Sequence, residues 1–152
     1  MGTFLYFAYG SNMLTARLRE RCPSARSRGV ASLPGYALKW HKKSKDRSGK
    51  CDIVESVEGE AFVHGVLYEI PDHEKSKLDR AEGLGYGYEQ VAIEVSQDGR
   101  PVSAVAYVAT NVDSTLKPFD WYHAHVVEGA VEHGLPAEYI AGLRAVEVTT
   151  SA

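Results

Sequence analysis

The chain has 152 residues, 44% hydrophobic and 24% charged, with a formal net charge of -3. That length suits one compact domain over residues 1–152, able to bury roughly two-thirds of its unfolded surface, and the composition excludes a disordered or low-complexity chain. So weak a negative charge excludes a general attraction to phosphate backbones or anionic lipid, and no nucleic-acid or membrane partner is expected.

The opening run Phe4-Leu5-Tyr6-Phe7-Ala8 is too short to span a bilayer and lacks the basic leader and cleavage pattern of a secretory signal, so it reads as a buried strand. Tyr6 stands where a myristoylation start wants Ser or Thr, and no lipid anchor is expected. Ser11 and Asn12 are N-cap residues for a helix over Met13 to Arg21, where Leu14 and Leu18 recur at helical spacing before Pro23. Val30 to Leu33 and Tyr36 to Trp40, split by Pro34-Gly35, predict a hairpin. The polar, basic stretch His41 to Lys50 reads as a mobile, solvated loop.

Strand composition returns around Cys51 to Val57 and Glu60 to Ile70. Pro71 opens a short helix over Asp72 to Ala81, with Glu82 in its last turn and Gly83 as its C-cap. A glycine-rich aromatic loop with Tyr86 and Tyr88 leads into a hairpin of Val91 to Val95 and Val102 to Ala109 about Asp98-Gly99. Two tandem helices between Trp121 and Val146, broken at Gly134-Leu135-Pro136, complete an α+β fold: a small, mixed, largely antiparallel β-barrel flanked by short helices. The two cysteines, Cys22 and Cys51, are too few for a disulfide framework and lack neighbouring soft ligands. They read as reduced, buried thiols of a cytoplasmic protein.

Two features carry chemistry. Tyr9-Gly10-Ser11-Asn12 is a strand end turning into a helix start, which directs backbone N–H groups toward an anion or oxyanion. Glu82 lies where the negative end of a helix dipole disfavours a carboxylate and raises its proton affinity, which suits a general base. Taken singly, the first is an ordinary capping turn and the second an ordinary helix-end glutamate.

Together, Phe4 to Asn12, Gly65-Val66-Leu67-Tyr68, Leu78-Asp79-Arg80-Ala81-Glu82-Gly83 and Gly134-Leu135-Pro136 with Tyr139 resemble, in order and spacing, the gamma-glutamylcyclotransferases. The resemblance implies a five- or six-stranded barrel with Glu82 as catalytic glutamate. Substrate would lie over the Tyr9 to Asn12 loop, and Tyr122 would match the family's C-terminal active-site tyrosine. The loop after Glu82 departs from many bacterial relatives in having Glu89-Gln90 where they are basic, which bears on the substrate's leaving half.

The implied reaction closes a gamma-glutamyl amine into 5-oxoproline. It needs a base for the α-ammonium and donors for the γ-oxyanion, with Tyr9, Tyr88 and Tyr122 as aromatic walls. It calls for no cofactor and no metal, and His123 and His125 lack the helical spacing of paired ligands. The expected partner is a small gamma-glutamyl molecule, and the expected state a monomer or homodimer. Two other readings stay open: a cyclotransferase for another gamma-glutamyl amine or acylated intermediate, and a non-catalytic ligand-binding barrel.

Overall fold

The computed structural model describes residues 2–56 and 61–150. Strands β1 (Thr3–Ala8), β2 (Arg26–Pro34), β5 (Phe62–Pro71), β6 (Tyr88–Gln97) and β7 (Arg100–Ala109) close a barrel in the order β1-β5-β2-β6-β7. All neighbours are antiparallel except β7 and β1, whose parallel contact at Tyr6 and Val105 closes the ring. The largely antiparallel barrel expected from the sequence is thus present, with five strands. Strands β3 (Tyr36–Lys43) and β4 (Gly49–Glu55) form a separate two-stranded sheet.

Helices α1 (Thr15–Arg19), α2 (Lys75–Glu82), α3 (Asp120–Glu132) and α4 (Ala137–Arg144) flank these strands, with 3₁₀ turns over Ser11–Met13 and Asp72–Glu74. Phe7, Val66, Leu67, Ile70, Leu78 and Val126 are buried in one continuous core, and each large aliphatic side chain so buried contributes about 1.5–3 kcal/mol. On α3 the buried residues Tyr122, Val126 and Ala130 recur every four positions and so form the core-facing stripe of an amphipathic helix. Among the described residues no helix is long and apolar enough to cross a membrane.

Three sequence expectations are corrected. First, β2 and β3 do not form a hairpin. Gly35, at φ 81, turns the chain out of the barrel, where β3 pairs with β4 while β2 pairs with β5 and β6. Second, His41 to Lys50 is not a loop. Both strands run into it, leaving a tight turn in which Ser44 N–H donates to the Ser48 carbonyl at 3.1 Å and the Asp46 carboxylate accepts from Ser48 N–H at 3.0 Å. Third, Ser11 and Asn12 cap no helix: the residue preceding α1 is Leu14, and no side chain caps it.

The strands expected at Cys51 to Val57 and Glu60 to Ile70 correspond to β4 and β5, with Val57 and Glu60 outside the described residues. The short helix ending in Glu82, the β6–β7 hairpin about Asp98-Gly99 and the tandem C-terminal helices lie where the sequence places them.

The β3–β4 sheet is tied down by a buried acid. Asp52 takes a 2.6 Å contact from His41 Nε2 and a 2.9 Å hydrogen bond from Ala109 N–H on β7. A buried carboxylate needs such partners, and they hold the hairpin against the end of the barrel.

Candidate active site

Strand β1 carries Tyr6 and ends beside Tyr9. The chain then turns through Gly10 into the 3₁₀ turn, whose first hydrogen bond runs from Met13 N–H to the Gly10 carbonyl at 3.1 Å. The N–H groups of Gly10, Ser11 and Asn12 precede that bond and have no intrahelical partner. The Ser11 and Asn12 side chains, released from capping, serve elsewhere. Ser11 Oγ accepts from Arg17 Nε at 3.0 Å, and Asn12 Nδ2 donates to Glu82 Oε1 at 2.9 Å.

Glu82 arrives from the other side, at the end of α2. Gly83 closes that helix at φ 70, where its N–H donates to the Arg80 carbonyl, a left-handed cap that suits glycine. The helix is anchored through Asp79, whose carboxylate accepts from Lys75 Nζ at 2.9 Å and from the Tyr107 phenol on β7. Tyr6 OH donates to Glu82 Oε1 at 3.0 Å. Both donors to Glu82 end on Oε1, and among the described residues no hydrogen bond reaches Oε2.

Burial raises the Glu82 pKa above the ordinary carboxylate value. The Tyr6 hydrogen bond and the charges of Arg21, Lys42 and Lys50 oppose that rise without cancelling it. Burial likewise holds the phenols of Tyr6, Tyr9, Tyr88 and Tyr122 well above their usual pKa, so they remain neutral. Tyr88 OH donates to the Cys51 carbonyl at 2.7 Å, and Cys51 N–H donates to Tyr122 OH at 3.0 Å. The two rings are thereby fixed against β4.

Tyr9, Gly10, Ser11, Asn12, Glu82, Tyr88 and Tyr122 all border one cavity. Every residue singled out in the sequence for the site is therefore brought to one place. Tyr86, from the same aromatic loop, is 91% exposed and stays outside. Sequence reasoning missed Tyr6, Tyr107 and the backbone of Cys51, which also border the cavity. The available signal was a phenol inside an otherwise apolar strand, since a buried Tyr O–H needs a partner. Among the described residues no group of three or more His, Cys, Asp or Glu side chains is placed to hold a metal ion.

The model of the AIG2-like family matches residues 62–143. Over 152 aligned residues the chain is 38% identical to the gamma-glutamylcyclotransferase of Mus musculus, covering 95% of this chain and 79% of that protein. It is 37% identical, with the same coverage, to the gamma-glutamylcyclotransferase of Bos taurus. The chain belongs to the gamma-glutamylcyclotransferase family. A solved structure named gamma-glutamyl cyclotransferase matches with a TM-score of 0.90 and 34% identity, over 97% of this chain and 90% of that one. As a member of the gamma-glutamylcyclotransferase family the protein is an enzyme, and the likeness covers barrel, second sheet and helices together.

Proposed function

We propose that the protein converts gamma-glutamyl amino acids or amines into 5-oxoproline and the free amine, with Glu82 as base and then acid. The observation that carries this reading is the meeting of Glu82 with the Tyr9 to Asn12 loop at one cavity. Near neutral pH the substrate's α-amine is an ammonium and cannot attack. Glu82, through Oε2, takes one of its protons, and the freed amine adds to the γ-carbonyl carbon to close a five-membered ring. The carbonyl oxygen becomes an oxyanion facing the N–H groups of Gly10, Ser11 and Asn12, where each well-aimed donor is worth about 3–4 kcal/mol. The oxyanion then collapses, and the bond to the leaving nitrogen breaks as protonated Glu82 gives that nitrogen its proton. The regenerated carboxylate takes the second proton from the ring nitrogen and passes it to the freed amine, which leaves as an ammonium beside neutral-lactam 5-oxoproline.

The raised proton affinity of Glu82 supports both halves of this cycle, because a base near its working pH is also a competent acid. The walls made by Tyr9, Tyr88 and Tyr122 suit a folded, near-attack glutamyl chain. The buried thiols of Cys22 and Cys51 accord with a reducing, cytoplasmic setting. The deciding experiment incubates the protein with a panel of gamma-glutamyl amino acids and amines and follows 5-oxoproline and amine release in equal amounts. Tight binding of these compounds without release would instead identify a ligand-binding barrel.

A further inference from the structure

Next to the cavity that holds Glu82 lies a second hollow, which shares Ser11, Asn12, Glu82, Tyr88 and Tyr122 with the first. Its wall differs in kind. Arg17, Arg21, Lys42 and Lys50 all line it, and among the described residues Glu82 is its sole carboxylate. All four cations are half-buried.

Three of these cations, Arg17, Lys42 and Lys50, stand over aromatic rings, contacts that bring no opposite charge. Lys42 Nζ stands 4.8 Å from the centre of the Tyr88 ring, Lys50 Nζ 5.6 Å from that of Tyr122, and the Arg17 guanidinium 5.7 Å from that of Trp121. Among the described residues Arg17, Lys42 and Lys50 form no ion pair, while Arg21 meets Glu20 at 3.7 Å. Lys42 and Lys50 are also direct cross-strand partners in the β3–β4 register, an arrangement of like charges that destabilises a sheet. Burial, then Lys50, lowers the Lys42 pKa. Burial, reinforced by Arg17, lowers that of Lys50 against the pull of Asp46. Repelling cations gathered at a half-buried wall gain most from an anion that comes with the ligand.

The two hollows divide a gamma-glutamyl substrate at its scissile bond. Among the described residues the inner one has no cation in its wall, and it suits the glutamyl unit, whose α-carboxylate needs at most one cation from the rim. The outer one then receives the departing amine, and a single carboxylate there would still leave the lysine pair unneutralised. We propose that the outer wall is a leaving-group subsite for an amine bearing two carboxylates, of the acidic amino acid class. This rests on the cyclotransferase reading above and adds to it the class of the leaving amine.

The test compares γ-glutamylglutamate with γ-glutamylglutamine, which share a shape and differ by one charge. On the native enzyme kcat/KM should favour the first by about tenfold or more at low salt, and the preference should shrink at high ionic strength as the charges are screened. The double variant Lys42→Met with Lys50→Met should bring the ratio of the two substrates to about one. Equal kcat/KM values on the native enzyme, or a ratio that persists in the folded double variant, would overturn the subsite. The salt series needs no variant and so survives a folding failure. Calorimetric binding of both dipeptides to Glu82→Gln separates the two ideas. Stronger binding of γ-glutamylglutamate with no 5-oxoproline release by the native protein would sustain the subsite and sink the cyclotransferase reading. Turnover without discrimination would do the reverse.

Discussion

The Asn12 carboxamide donates a 2.9 Å hydrogen bond to Oε1 of Glu82 across 70 positions of sequence. Tyr6 donates to the same oxygen at 3.0 Å, and Asn12 Nδ2 also lies 3.1 Å from Tyr6 OH. A strand, a turn and a helix end are locked together through one carboxylate oxygen, and among the described residues the other oxygen accepts no hydrogen bond.

Tyr6→Phe removes a donor that favours ionised Glu82 while keeping the ring in the core. The Glu82 pKa should therefore rise further, moving the acid limb of the kcat/KM profile to higher pH. Turnover near neutrality should fall about tenfold, less than expected for loss of the base itself. A purely packing role for Tyr6 would leave the limb where it is in the native enzyme, and a pH–rate series on the two proteins decides the matter.

The parts of the site legible in the sequence are those written in local pattern. A strand that ends in Tyr9-Gly10 must turn, and Gly83 after Asp79-Arg80-Ala81-Glu82 must end a helix, so both chemical groups had an address. Their meeting depends on α2 being held to β7 by Tyr107 and Asp79, a contact with no local trace. Tyr6 looked like core because its neighbours are core. The basic stretch has the same composition whether it waves in solvent or folds over the cavity, and only the β3–β4 register sets Lys42 opposite Lys50. The misread hairpin has the same origin: Pro34-Gly35 marks a turn, but which strand β2 joins is decided by β5, far along the chain.

Glu82→Gln should lower turnover by at least about 10²- to 10⁴-fold, the range for a lost general base. It should also stabilise the fold near neutral pH. The folded pKa of Glu82 is raised, so the native state binds the proton more tightly than the unfolded chain, and stability falls as pH rises from the unfolded value through the folded one. The amide keeps the acceptor for Tyr6 and Asn12 and carries no charge. Melting curves should show a higher Tm for the variant at pH 7 and a narrowing gap as pH falls below the ordinary glutamate pKa. A lower Tm for the variant at pH 7 would contradict a Glu82 whose proton affinity burial raises.

Gly10 leaves little room for any side chain. A Cβ there would stand 3.1 Å from Cys51 Cβ and 3.2 Å from Tyr122 OH, closer than ordinary contact, so β4 and the Tyr122 ring would have to retreat. Gly10→Ala should cost a modest part of the activity, and Gly10→Val about 10²-fold, because near-attack geometry is sensitive to shifts of about 1 Å. The checking measurement is kcat/KM for both variants with circular dichroism on each. Equal activity of Gly10→Val and native protein would show that the loop does not approach the substrate.

Thiol reagents should leave the enzyme active, although Cys51 lies in the wall of the cavity. Its contribution runs through the backbone, with N–H bound to Tyr122 OH and the carbonyl bound by Tyr88 OH. The side chains of Cys51 and Cys22 are 1% and 0% exposed, so neither sulfur meets solvent. Burial pushes the Cys22 thiol up to about 11 and the Cys51 thiol further still. Since only the thiolate attacks, a thiol titrating near 11 is ionised to about one part in a thousand at pH 8. Iodoacetamide at pH 8 should therefore add no mass to the folded protein and leave 5-oxoproline release intact, whereas both cysteines should be alkylated in denaturant. Rapid alkylation of Cys51 in the native state, with parallel loss of turnover, would mean that the cavity wall opens to solvent and that Tyr88 and Tyr122 are not fixed against β4.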